Sequence, residues 1–194
     1  LPTILGAYLG VTFGLPKLSG LAIFVVLGIM ISFIFAIQAL KDSIFGIPVL
    51  LIFTGFMGLM MTPLLTHTLK FSNGPELIMI AVGGTAAIFS SLAFYASVTK
   101  TDYSGFGKYL FIALIALVIA GIANIFLHLT ILTVVVSFIA IIIFSLYIVY
   151  DVQQIVDGGE TSYISATLSL YLDIINIFQS LLQSVNPVCA RRVF

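Results

Sequence analysis

Two carboxylates interrupt a chain that otherwise avoids charge. Asp151 and Asp173 stand in the stretch YDVQQIVDGGETSYISATLSLYLDIINIF at 150–178, one in each of two strongly apolar segments. A carboxylate at mid-membrane costs about 2.5–3.5 kcal/mol on insertion scales, so intramembrane acids mark function more often than packing. Two that lie close together cannot both ionise cheaply; they share a proton and titrate as a pair. When ionised, the same pair offers the oxygen ligands that a hard cation such as Ca²⁺ takes. Proton sensing and cation contact are therefore the chemistry this spacing supports. The plainer reading is an interfacial Asp151 and a protonated Asp173 that bonds a neighbouring helix.

The remaining polar residues are few. Lys41, at the end of the second apolar run, is a candidate latch for the pair, although next to Asp42 it also reads as half of a solvated loop pair. Asn124, Asn176 and Gln179 are amides inside apolar runs, where such groups join helices or line a polar path. His67 and His128 fall at helix ends. No nucleophile, base and orienter occur together, and the Gly-Gly pairs lack the strand–turn–helix setting of a phosphate loop. An enzyme is not expected, nor is a tightly bound cofactor.

The elements that must hold these residues are membrane helices. Of 194 residues, 61% are hydrophobic and 7% charged, against about 25% charged in soluble domains. Seven basic and seven acidic residues cancel, which leaves no basic field for nucleic acid. A lone cysteine, Cys189, forms no internal disulfide. The apolar runs are continuous, without the alternation of a barrel strand, so they predict helices.

Seven spans are expected. They run roughly over 1–15, 18–40, 44–66 with a kink or stop at Pro63, and 77–98. The 109–150 stretch holds two spans broken near His128, and the seventh follows DGGETSY and ends before Asn186-Pro187. A span needs about 20 residues, so the first run reads as the end of a longer helix. One transmembrane domain, 1–194, is expected. Gly6, Gly10 and Gly14 share a helix face, as do Gly83 and Ala87; such faces let helices approach closely, inside one chain or between copies. The lysines and arginines divide almost evenly between the two sets of loops, so charge alone leaves the orientation open. The start of the seventh helix is also open. From Glu160, Asp173 would lie roughly 20 Å deep, against roughly 9 Å for Asp151; from near Ser165 it would lie roughly 12 Å deep and the pair could meet. Thr161 and Ser162 can cap either start.

Seven spans, the Tyr-Asp ending the sixth and LSLYLDIINIF in the seventh together resemble the Bax inhibitor (TMBIM) family over nearly the whole chain. GGTA at 83–86, ANIFLHL at 123–129 and GGETSYISATLSLY at 158–171 are similar to its bacterial branch of membrane-protease modulators; spans one and two match weakly. The resemblance implies a central seventh helix surrounded by the other six. It also implies the bacterial inner membrane, cytoplasmic 2–3, 4–5 and 6–7 loops, and a pH-sensitive Ca²⁺ leak in members with a di-aspartyl pair. Asp151 and Asp173 fall on that pair. Where leak-channel members carry a latching basic residue, this chain reads Leu40-Lys41, without an arginine. The acid that some members hold in span two is replaced by VVLGIMISF. Asp173 points toward the channel members, whereas the GGET loop points toward the modulators.

Three functions follow as expectations. The first is a pH-gated cation leak with Ca²⁺ as the permeating ion, Asp151 and Asp173 as sensor and gate, and Lys41 as latch. The second is a regulator that binds an FtsH-type membrane protease. The third is a proton-coupled cation transporter using the same carboxylates. Asn124 and Asn176 are candidate polar supports. The expected partners are the bilayer, Ca²⁺, protons and a membrane-bound protease.

Overall fold

The computed structural model describes residues 1–13, 20–99, 101, 103, 104–127 and 129–190, with only the backbone at 20–23, 104 and 187–190. The described residues form helices and no strands. These are α1 (Pro2–Phe13), α2 (Gly20–Ala39), α3 (Gly46–Met60), α4 (Thr62–Thr68), α5 (Gly74–Val98), α6 (Gly107–Leu127), α7 (Thr130–Val156) and α8 (Tyr163–Ala190), with a short 3₁₀ turn at Ser104–Phe106. In lipid no water bonds a free backbone group, so uninterrupted apolar runs close their hydrogen bonds within each helix.

Five segments are long and apolar enough to cross a membrane: Gly46–Thr68, Gly74–Val98, Gly107–Leu127, Thr130–Val156 and Tyr163–Asn186. The first expected span appears as the short apolar helix Pro2–Phe13, in line with the short run in the sequence, and the second as α2, Gly20–Ala39, which is 20 residues long. At 1.5 Å per residue the first covers about 18 Å, less than the roughly 30 Å of a bilayer core.

The third span breaks at Met61. Pro63 occupies the first turn of α4, where a missing N–H is tolerated, and the Met61 N–H is shared between the carbonyls of Met57 and Gly58. The seventh expected span runs further than its sequence suggested. α8 passes through Asn186-Pro187 to Ala190, because a proline this close to a helix end removes only one late donor. His128, read as the break between spans five and six, lies outside the described residues, as do Gly14, Lys17, Lys100, Arg191 and Arg192.

The chain forms two compact units. One comprises Leu1–Ser72 with Ser162–Leu168, and the other Asn73–Thr161 with Ser169–Phe194. The first is built on close backbone approach. A Cβ on Gly6 would strike the carbonyl oxygen of Gly55, and one on Gly58 would strike the carbonyl of Thr3. Gly10 faces the Thr62 hydroxyl in the same way. The glycine face of α1 therefore packs inside the chain, against α3 and α4. In the same unit the turn after α2 meets the start of α8: the Ser162 hydroxyl donates to the Lys41 carbonyl at 2.9 Å, and Gln38 Nε2 donates to Ser165 Oγ at 3.4 Å.

The second unit packs bulkier groups. Ala96, Ala140, Phe144, Ile148, Val149, Val152 and Ile177 are buried together, from α5, α7 and α8. α8 is the most enclosed of the five spans, with 44% of its apolar window buried against 11% for α6. A helix that buries more of its circumference can carry polar side chains away from lipid, and α8 holds buried Asp173, Ser180 and Ser184.

Candidate functional site

The loop between α7 and α8 sets the depth of both aspartates. α7 ends at Val156, and Gly158 turns the chain with φ +76°, a left-handed conformation that glycine adopts without strain. The Glu160 N–H then bonds the Gln154 carbonyl at 2.9 Å, folding the loop back over the helix end. The Ser162 hydroxyl accepts from the Ser165 N–H at 3.4 Å, and α8 begins at Tyr163, between the two starts that the sequence allowed. Asp151 lies roughly 9 Å from the Asp157 end of α7 and Asp173 roughly 15 Å into α8.

The structure brings the two together. Their carboxyl groups come within interaction distance of each other inside the second unit. A carboxylate only accepts, so a hydrogen bond between them requires a proton on one of the two. Asp173 is 4% exposed, and its Oδ2 is buried with no partner among the described residues. Asp151 is half-buried. Tyr147, one turn before Asp151 on the same face of α7, lies within electrostatic range of both acids, and Tyr150 lies near Tyr147. Glu160, from the loop, adds a third negative group near Asp151. The Phe144 ring lies 6.2 Å from that of Tyr147, so aromatic and aliphatic groups close the deep side of the pair. The arrangement can hold one proton, release it, or present ionised oxygens to a cation. Among the described residues no group of three or more His, Cys, Asp and Glu side chains is placed to hold a resident metal.

The family profile described as inhibitor of apoptosis-promoting Bax1 matches residues 1–187. The chain belongs to the Bax inhibitor family. Among its relatives is an uncharacterized protein of Campylobacter jejuni, 36% identical over 195 residues, covering 98% of this chain and 84% of that one. An uncharacterized protein of Neisseria meningitidis serogroup A is 34% identical over 158 residues, 81% of this chain and 70% of its own. The modulator of FtsH protease YccA of Escherichia coli is 38% identical over 130 residues, 67% of this chain and 59% of its own. Other relatives carry the names inner membrane protein YccA and membrane protein. With the membrane-crossing helices, they make this Bax inhibitor family member a multi-pass inner-membrane protein.

The other expected residues of this Bax inhibitor family protein fall in different places. Lys41 lies in the first unit, in the turn after α2, where its carbonyl receives the Ser162 hydroxyl. Asn176 donates to the Leu172 carbonyl at 2.7 Å, within its own helix. Asn124 donates to Thr133 Oγ1 at 2.7 Å and so ties α6 to α7. His67 is exposed, with its ring edge-on to Phe71 at 5.4 Å.

Sequence reasoning missed Gln153. It is 6% exposed; its Nε2 donates to the Thr101 carbonyl at 2.7 Å and its Oε1 accepts from the Tyr103 N–H at 3.2 Å. Both ends of one amide thus fix the loop before α6 to the helix that carries Asp151. The signal was present in YDVQQ, where two amides follow the aspartate, but a glutamine near a helix end gives no hint of which way it points. Gly107 completes this contact: a Cβ there would come within 2.7 Å of the Tyr150 hydroxyl.

Proposed function

We propose that this protein is a pH-sensitive cation leak channel of the inner membrane, with Ca²⁺ as the permeating ion. Asp151 and Asp173 are its proton sensor and gate, and Lys41 remains the candidate latch. In this reading the chain is one seven-span domain with α8 at its centre. The observation that carries the reading is the pair itself: two neighbouring carboxyls in an apolar surround, with Asp173 Oδ2 buried and without a hydrogen-bond partner among the described residues. With one shared proton the pair joins α7 to α8. Loss of that proton leaves two like charges side by side, which repel and attract a cation. Proton occupancy thereby becomes a change in helix contact and in cation affinity. Glu160 is the further acidic neighbour of Asp151 within the second unit.

The test is Ca²⁺ flux in proteoliposomes across mildly acidic to neutral pH. A flux that changes with pH supports the channel; a flat response from folded protein overturns it. Saturable exchange driven by a proton gradient would instead identify a proton-coupled transporter.

A second reading is regulation of an FtsH-type protease. It is favoured by the 38% identity to the Escherichia coli protein named as a modulator of FtsH protease. This function needs no ion path, and co-purification with the protease from native membranes, without flux, would establish it in place of the first.

A further inference from the structure

Far along α7 from the aspartates lies a second polar group that the gate does not use. Asn124, Thr133, Ser137 and Gln183 connect α6, α7 and α8 inside the second unit. Asn124 Nδ2 donates to Thr133 Oγ1 at 2.7 Å, and the Thr133 hydroxyl donates to the Leu129 carbonyl at 3.2 Å. The Ser137 hydroxyl donates to the Thr133 carbonyl at 2.8 Å and reaches Gln183 Oε1 only at 3.4 Å.

The group is short of donors. A serine hydroxyl has one hydrogen, and the shorter bond takes it, so Gln183 Oε1 is poorly served. Asn124 Oδ1 is buried and finds no donor among the described residues. Exchanging the oxygen and nitrogen of that amide does not help. The Thr133 hydroxyl would have to abandon Leu129, and the Asn124 nitrogen would take the orphaned position. One buried amide oxygen, Asn124 Oδ1, therefore lacks a donor, and the Gln183 amide beside it is held only by a long contact. Ser137, beside it, is 3% exposed.

Position along the helices suggests what arrives there. Ser137 lies roughly 21 Å along α7 from Asp151, near the opposite end of the span. Between them on the same face come Ala140, Phe144 and Ile148, with Ile177 from α8; Ile148 and Ile177 are fully buried. A polar station, an apolar plug and a second polar station follow one another through the unit. Apolar constrictions of this kind hold a path closed by excluding water, and neutral oxygens replace part of an ion's hydration shell.

We propose that the Asn124–Thr133–Ser137–Gln183 cluster is a hydrated cation station, on the side of the Phe144–Ile148–Ile177 plug opposite the aspartate pair. Its role in transport rests on the leak reading, but its hydration and cation binding do not. The test uses thiol modification in a Cys189→Ser background, which removes the single native cysteine. The protein is reconstituted in vesicles and treated with a small water-soluble trimethylammonium thiosulfonate. Ser137→Cys is expected to react at least tenfold faster than Ile177→Cys, and millimolar Ca²⁺ should slow it at least threefold. Adding Asn124→Leu should abolish that protection. Where Ser137→Cys fails to fold, half-buried Gln183→Cys carries the same comparison. Reaction no faster than at Ile177→Cys overturns the station. Fast reaction without Ca²⁺ protection overturns its assignment to a cation. Fast, protected reaction in a protein that carries no Ca²⁺ flux leaves the station standing and removes the leak reading instead.

Discussion

The two units solve the same problem with different chemistry. Lipid is as apolar as a leucine side chain, so neither unit gains by hiding hydrocarbon, and both must hold together by packing and hydrogen bonds. The first brings backbones together: α1 and α3 carry no charged residue and meet through Gly6, Gly55 and Gly58. The second keeps its helices apart with Phe144, Ile148 and Ile177 and places Asp151, Asp173 and the Asn124 cluster at the two ends of that layer. Backbone contact leaves no slack, whereas side-chain layers flanked by titratable and under-bonded groups can rearrange. The first unit reads as scaffold and the second as working part.

The sharpest way to break this contrast is at Gly6. An alanine there drives its methyl into the Gly55 carbonyl, an atom that moves only with the whole helix. Gly6→Ala is expected to destabilise by about 3 kcal/mol, the upper end for overpacking, read as a lowered midpoint in detergent-based unfolding. An unchanged midpoint would mean that the α1–α3 contact is loose.

Ile177→Ala opens a cavity in the second unit. Cavities from isoleucine cost about 2–5 kcal/mol in water-soluble cores. Here the transfer part is missing because the surrounding solvent is itself apolar, so about 2 kcal/mol is expected. A loss larger than that of Gly6→Ala would reverse the assignment of scaffold and working part.

Asp173→Asn should alter function more than stability. Asparagine can still donate to Asp151 but cannot titrate, so the helix contact survives with less than about 1 kcal/mol lost while the pH response of flux disappears. Asp151→Asn should do the same, and the double variant should add little, because coupled sites are not additive. Asp157→Asn, in the exposed loop, should leave the response intact. A response abolished by Asp157→Asn but kept by Asp173→Asn would move the sensor out of the pair.

The smallest effect is expected at Gly83, on α5, where a Cβ meets nothing within 4 Å. Gly83→Ala should raise stability by about 0.5–1 kcal/mol through helix propensity alone. A loss measured in native membranes but absent in detergent would show that a partner helix packs on this face.

Much was legible from sequence, for a physical reason. Transfer into lipid is a nearly additive property of local composition, so continuous apolar runs located the helices, and the rarity of charge made Asp151 and Asp173 conspicuous. Pro63 announced the break at Met61, but Pro187 did not stop α8, because a proline's effect depends on how much helix remains beyond it.

Only the tertiary structure decided whether the two acids meet. Their levels depend on α8 starting at Tyr163, where Ser162 reaches a carbonyl more than a hundred residues earlier, at Lys41. The glycines of α1 showed a close face but not its partner. Side-chain amides carry no mark of their partners in sequence, yet Gln153 is bonded at both its nitrogen and its oxygen, Asn124 keeps a buried orphan oxygen and Gln183 is bonded only at 3.4 Å. Rotation about a helix axis and sliding along it hardly change hydropathy. They are set by contacts between distant segments, and those contacts determine which polar atoms find partners.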